Sequence, residues 1–474
     1  MLRATFAAAG LTLALAASAQ QTALPPADRT LARDVFQQLI EINTTHSTGS
    51  TGDAAEAMRK RLLEAGFPAA DVQVLGPDAR HNNLVVRYRG ASGSTKKPVL
   101  IIAHLDVVEA RKEDWSTDPF RLVEKDGFFY GRGTQDMKDS DAASVVSFLR
   151  LKREGFVPDR DILLALTAGE EGGEGNGVDW LLKNKRSLID AGFALNADAG
   201  GLTTVNGKPL NLGVEATEKL YADFELLATN PGGHSSVPTP DNALYHVADA
   251  LAKIERFTFP FELNAVTRAY FTELAKVAPA QQGADMRAIL ASTPDAAAIA
   301  RLSADPRYNS TLRTTCVGTM MQAGHAPNAL PQRAIANINC RILPGHTPAE
   351  VHQVLASAIA DPKVTIRLNT EGISSGENEL SVTPPPLNQE VFAALHTVAH
   401  TFWPGLPVIP EMETGASDSK ITMTAGIPSY GFSGMGIDED DDRAHGKDER
   451  LGVESFYTGV QFDYLYLKTL TGGH

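Results

Sequence analysis

Apolar positions in the first half of the chain gather into three short stretches, and each stretch ends in residues of a different kind. Pro98–Ala103 leads into His104-Leu-Asp106, Asp161–Ala168 into Gly169-Glu170-Glu171, and Phe193–Ala197 into Asp198. Runs of this length with little alternation predict buried strands of a parallel sheet. Between them the spacing becomes helical. Arg29–Asn43 sets Leu31, Phe36, Leu39 and Ile40 on one face, and Asp141–Glu154 turns Val145, Val146 and Leu149 inward. Asp53 is placed to cap a helix reaching Gly66, and a further helix covers 177–189. Asn83–Tyr88 reads as one more strand. In open α/β sheets, chemistry collects at the carboxyl ends of strands. His104 taken alone fits a core histidine equally well. Three successive strand ends carrying His or carboxylate say more than any one of them.

The pattern then changes. Val205-Asn-Gly-Lys208 signals a hairpin, and Tyr221–Thr229 alternates like a half-exposed strand. After Asn230-Pro-Gly-Gly-His234-Ser-Ser comes a helix, Asn242–Ile254. Residues 257–308 read as a helical insert. Strands at 309–321 and 334–343, a helix at 348–360 and a strand at 363–369 complete a β-α-β-β-α-β order, the ferredoxin-like split unit. The α/β pattern resumes near Pro385, with a helix at 388–402, strands Pro407–Pro410 and Ile427–Phe432, and a last helix at 451–470. The expected division is a leader at 1–19, a first domain part at 20–214, an inserted domain at 215–382 and a second part at 383–474.

A length of 474 residues exceeds one ordinary core, in keeping with two domains. Hydrophobic residues at 43% and charged residues at 21% give a globular balance. The net charge of −14 argues against nucleic acid and anionic membrane surfaces as partners. At the N-terminus, Arg3, the apolar run Ala7–Ala17 and Ala17-Ser-Ala19 before Gln20 read as a cleaved export signal. The mature protein is then periplasmic or secreted, with no membrane contact. The two cysteines, Cys316 and Cys340, face each other if their strands form a hairpin centred near Asn328. A bridge and two buried thiols are equally compatible with that placement.

The candidate metal ligands are His104, Asp136, Glu171, Asp198 and His445. Nitrogen and oxygen donors without thiolate suit zinc, with cobalt or manganese as substitutes. Two divalent cations about 3.5 Å apart need an anionic bridge, which a carboxylate provides. Glu170, next to Glu171, is left over and can take a proton from water. Asp106 is placed to hold the second ring nitrogen of His104. By themselves, Glu170-Glu171 would be an exposed acidic turn, and Asp438–Asp442 a solvated loop.

The motifs His104-Leu-Asp106, Gly131-Arg-Gly-Thr-Gln-Asp136, Glu170-Glu171, Asn196-Ala-Asp198, Gly232-Gly-His234-Ser, Asn328-Ala-Leu-Pro, Arg341-Ile-Leu-Pro-Gly and His445-Gly together resemble those of the M20 metallopeptidases. That family contains carboxypeptidase G2, succinyl-diaminopimelate desuccinylase, aminoacylases and carboxypeptidase S. The resemblance implies a zinc-exopeptidase catalytic domain, a mixed sheet flanked by helices, carrying an inserted α+β lid domain. It implies two zinc ions. Asp136 bridges them, His104 and Asp198 complete one site, and Glu171 and His445 complete the other. A metal-bridging water attacks, with Glu170 as general base, and the peptide after Asp136 is cis. His234 of the lid stabilises the oxyanion, and in dimeric members it comes from the neighbouring subunit, through a lid-mediated homodimer. Asn328, Arg341 and Gly415 resemble substrate-binding positions. Arg341 suits a free carboxylate, which implies dipeptides, C-termini of short peptides or N-acyl amino acids as substrates. Outside this resemblance, His234 would be a loop histidine and Arg341 a surface ion-pair partner. Met137 stands where many members have Asp, and Asp139 where Gly is usual. The 257–308 insert is similar to that of the carboxypeptidase S-like branch. Two other readings are an aminopeptidase, which Arg341 disfavours, and a non-catalytic exported binding protein of the same fold. Intact ligands and an intact Glu170 argue against the second.

Overall fold

The computed structural model describes residues 22–172, 175–369 and 384–472. The leader at 1–19 and the expected boundary at 382/383 lie outside them. The chain divides into two compact units. One comprises the chain up to Ala216, Leu387–Glu411 and the chain from Ser417 on. The other comprises Thr217–Pro386 and Met412–Ala416.

The first unit is built on a mixed sheet. Its order is Val72–Leu75, Asn83–Tyr88, Ile162–Thr167, Val99–His104, Phe193–Asn196, Ser429–Gly431, Lys208–Glu218, Gly201–Val205 and Gly436–Asp438. Val408–Glu413 pairs beside Lys208–Glu218. The four strands from Ile162–Thr167 to Ser429–Gly431 run parallel. Val99–His104 and Ile162–Thr167 are buried at every position, which is why their sequences do not alternate. On one face Leu100, Ile102, Leu163 and Ala165 pack with Leu181 and Ile189. The helix Lys138–Arg153 packs on Val99–His104 and is itself flanked by Pro26–Glu41 and Val453–Thr471.

Local chemistry moves three of the expected boundaries. The second helix begins at Thr51, so Ser50 rather than Asp53 is its cap, accepting from the Asp53 N–H at 3.2 Å. The α-helix Gly177–Lys185 stops early and ends in a 3₁₀ turn, Arg186–Leu188. The start of the expected 309–321 strand is helical instead. Asp305 caps Pro306–Thr311, with Pro306 in the first turn, and the strand begins only at Thr315.

The second unit carries Leu220–Thr229, the helix Ala243–Arg256, Thr315–Ala323, Arg333–Ile342, the helix Pro348–Ile359 and Thr365–Asn369. Its sheet order is Thr315–Ala323, Arg333–Ile342, Leu220–Thr229, Thr365–Asn369, antiparallel throughout. This is the ferredoxin-like arrangement. Alternate residues Leu220, Ala222, Phe224, Leu226 and Ala228 are buried and join Val247, Ala250, Leu355 and Ile359 in one core. The insert forms short helices with a separate core that includes Phe271, Met286, Ile289, Leu302 and Leu312. Cys316 and Cys340 are directly opposite in the ladder and form a disulfide. Of the two arrangements open at the sequence level, the structure has the bridge.

Candidate active site

Three strand ends, the Asp136 turn and the His445 loop bring five side chains together. His104 ends its strand with a side chain only 2% exposed. Its Nδ1 pairs with the main-chain oxygen of Asp106 at 3.0 Å, so Nδ1 carries the proton and Nε2 is left as the donor of a lone pair. Nε2 faces Asp136 Oδ1 at 3.1 Å and Asp198 Oδ1 at 3.6 Å. The other oxygen of Asp136, Oδ2, lies 2.9 Å from His445 Nε2, which is also 2.9 Å from Glu171 Oε2. Asp136 therefore presents one oxygen to each imidazole.

The Asp106 carboxylate does something other than pair with the His104 ring. Its nearest oxygen is 3.9 Å from Nδ1. Its two oxygens instead accept the N–H groups of Glu170 and Glu171, at 3.2 and 3.0 Å. One residue thus fixes His104 through its carbonyl and the Glu170-Glu171 turn through its carboxylate. Asp198 is set by an N–H bond to Asn196 Oδ1 at 3.1 Å, and the Asn196 amide is held by Ser417 and Ser419.

Asp136 sits on a tight turn. Gly133 has φ +87°, and a Cβ there would meet Val107 at 2.9 Å and Lys138 at 3.0 Å, so glycine is required. The Asp136–Met137 peptide is cis, as the resemblance implied. Met137 Sδ accepts the His104 N–H at 3.3 Å, which ties the turn to the central strand.

Charge in this cluster is badly balanced without cations. Burial pushes the Glu170 carboxyl up to about 10, with Asp198, Asp418 and Glu171 adding to it. Burial and Asp136 push Glu171 up to about 7. The hydrogen bond to Asp136, with Glu171 beside it, pushes His445 up to about 9. For His104, burial favours the neutral ring, but Asp198 and Asp136 outweigh it and raise the pKa well above the usual value. Burial would raise Asp136, yet the two imidazoles hold it below the carboxylate range. Among the described residues, His104 Nε2, Asp136 Oδ1 and Glu171 Oε1 are buried without a hydrogen-bond partner. The donor atoms of His104, Asp136 and Glu171 lie within 4.8 Å of one another, as do those of His104, Glu170 and Asp198. Unpartnered N and O donors among surplus carboxylates fit divalent cations, which would displace the retained protons.

A model of peptidase family M20/M25/M40 matches residues 100–469. The chain belongs to this family. It is a hydrolase of amide bonds, which removes the non-catalytic binding-protein reading. Among M20 relatives, the N-fatty-acyl-amino acid synthase/hydrolase PM20D1 of Xenopus tropicalis is 29% identical over 77% of this chain and 71% of its own. A probable carboxypeptidase S-like protein of Dictyostelium discoideum is 28% identical over 93% of this chain and 86% of its own. An M20 metallo-carboxypeptidase from Sulfolobus solfataricus shares the fold at a TM-score of 0.65 and 17% identity, over 93% of this chain and 99% of that one.

The remaining candidates of the M20 chain lie in the second unit. His234 pairs with Ala329 in a short ribbon, and the Ser235 N–H donates to the Asn328 oxygen at 3.0 Å, so His234 and Asn328 are neighbours. The Ser236 N–H donates to His234 Nδ1 at 3.1 Å, so Nδ1 accepts and Nε2 is left to donate from an exposed residue. Arg341 stands opposite Tyr221, with its guanidinium 4.8 Å from the ring centre and a buried, unpartnered Nη1. A Cβ added at Gly415 would meet nothing within 4 Å among the described residues. Sequence reasoning missed Arg132, Glu449 and Asp418. Asp418 is buried and accepts from Asn176 at 2.6 Å. It was visible only as the end of Gly415-Ala-Ser-Asp418.

Proposed function

We propose that this M20 enzyme is an exported dizinc hydrolase that cleaves an amide next to a residue with a free carboxylate. The observation that carries the metal assignment is the two-sided placement of Asp136 between His104 and His445. One ion would be held by His104, Asp198 and Asp136, the other by Glu171, His445 and Asp136. When bound, the ions supply Lewis acidity and make a nearby water easier to deprotonate. Glu170, on the turn fixed by Asp106, takes the proton of the attacking water. The water oxygen bonds to the carbonyl carbon. Glu170 then returns the proton to the amide nitrogen as the C–N bond breaks, giving a carboxylic acid and an amine, which ionise to carboxylate and ammonium by passing on the second water proton. His234 Nε2–H is the donor for the oxyanion.

The unpartnered Nη1 of Arg341 supports carboxylate recognition. A C-terminal peptide residue and an N-acyl amino acid both carry a carboxylate one carbon from the amide nitrogen. The names of the Xenopus and Dictyostelium relatives correspond to these two substrate types. The disulfide supports export to an oxidising compartment. Among the described residues no helix is long and apolar enough to cross a membrane.

A panel of dipeptides, tripeptides and N-acyl amino acids, each with free and amidated C-termini, tests the reading. Turnover is expected only for the free acids and only without chelator. Equal rates on amidated forms would remove Arg341 from its role. Glu170→Gln is expected to lower kcat by at least about 10²–10⁴-fold with metal content unchanged. Substantial turnover in the metal-replete variant would reassign the base.

A further inference from the structure

Glu449 is fully buried, and both of its carboxylate oxygens are occupied. Oε1 accepts the N–H groups of Gln135 and Asp136, at 2.7 and 3.2 Å. Oε2 accepts the N–H of Gly133 at 3.2 Å and pairs with Arg132 Nη1. The Glu449 main-chain oxygen takes the Gly131 N–H at 3.2 Å. One residue therefore holds most of the turn that ends in Asp136. Arg132 then reaches the other way. Its Nη2 donates to the Gly446 oxygen at 2.9 Å and approaches the His445 oxygen at 3.5 Å. Its guanidinium lies 5.1 Å from the ring centre of Trp115, which limits its swing.

We infer that Arg132 and Glu449 are a positioning pair that joins the Asp136 turn to the His445 loop and so builds the outer of the two metal sites. The inference rests on the two-ion reading above. Two observations make the effect unequal between the sites. His104 is 2% exposed and is locked by Asp106, whereas the His445 side chain is 57% exposed. The Arg132 contacts reach the backbone around His445 and none reach His104 or Asp198. A buried ion pair of this kind adds little net stability. What it does here is fix the distance between two ligand-bearing segments 309 residues apart in sequence. Gln135 adds a third tie, since its Oε1 accepts the Arg443 N–H at 2.7 Å.

The test is Co²⁺ titration into metal-stripped full-length protein, followed by visible absorption and by elemental analysis. Wild type is expected to take up two ions. In Arg132→Met the first ion should bind as in wild type and the second about 10–100-fold more weakly. Arg132→Lys, which keeps the charge but not the fork, should recover part of that loss. Glu449→Gln, which also loosens the Asp136 turn shared by both sites, should weaken the second ion at least as much as Arg132→Met does. Thermal melts of the metal-free variants separate misfolding from ligand displacement, and Arg132→Lys serves if a buried variant fails to fold. Unchanged second-ion affinity in Arg132→Met, or equal weakening of both ions, would overturn the inference while the two-ion reading stands. A wild type that takes up a single ion would overturn that reading and this inference with it.

Discussion

The site residues show how far one side chain can carry two tasks. Asp106 orients His104 with its carbonyl and holds the Glu170-Glu171 turn with its carboxylate. Asp463, in the last helix, shows the opposite case of a carboxyl with too few partners. Its Oδ1 has no hydrogen-bond partner among the described residues, and burial pushes its pKa up to about 7 against about 3.9 in an unfolded chain. The folded protein then holds a proton that the unfolded chain has lost. Stability falls as pH rises from about 4 to about 7, and the full cost remains above that range. Asp463→Asn should raise the melting temperature at pH 8, with a gain of at least about 1 kcal/mol that disappears below about pH 4. A variant no more stable than wild type at pH 8 would show that Asp463 is not the strained group. The candidate metal ligands stand out in the sequence because each lies at a strand end or beside a glycine turn. Arg132 and Glu449 do not. Arg132 sits between two glycines, and Glu449 lies within the charged run Lys447–Arg450, which looks solvated. Their partnership spans 317 residues, and burial of a charge leaves no local periodicity.

At the scale of elements, the sheet strands were legible because full burial abolishes alternation in Val99–His104 and half burial preserves it in Leu220–Thr229. Helix ends were less legible. Ser50 and Asp53 are both good caps, and only the backbone at Thr51 decides between them. The Cys316–Cys340 pairing was legible as register but not as chemistry, since facing cysteines need not bond. The bridge closes a loop of 24 residues in sequence separation. By loop entropy it is worth up to roughly 3.5 kcal/mol. Replacing both cysteines by serine should lower the unfolding free energy of the second unit by up to that amount, read as a lower denaturation midpoint. Metal content should not change, because the first unit contains neither cysteine. Denaturant melts and elemental analysis check the two halves of this expectation.

At the scale of the whole molecule, the proposed roles of Arg341 and His234 require one substrate to meet both. Along Arg333–Ile342 the two positions sit at opposite ends. Thr229 and Arg333 pair at the end from which the His234 ribbon continues, and Tyr221 and Arg341 pair eight residues away. At about 3.4 Å per residue that is roughly 27 Å, more than a dipeptide spans. We propose that a second copy supplies His234, as in a homodimer formed through the lid. Light scattering should then give twice the chain mass. Co-expressed Glu170→Ala and His234→Ala chains should recover about a quarter of wild-type activity, since half the dimers are mixed and each keeps one complete site. No recovery in mixed dimers would place His234 within its own subunit.

The cystine has one more consequence, for instrumentation rather than for stability. It consumes both cysteines of the sequence, so the folded protein offers no free thiol. Any single cysteine introduced on the surface becomes the sole target for a maleimide dye or a nitroxide. One such label on each unit, placed far from the ligands, would turn the separation of the units into a distance read by fluorescence transfer or spin–spin coupling while substrate is being turned over.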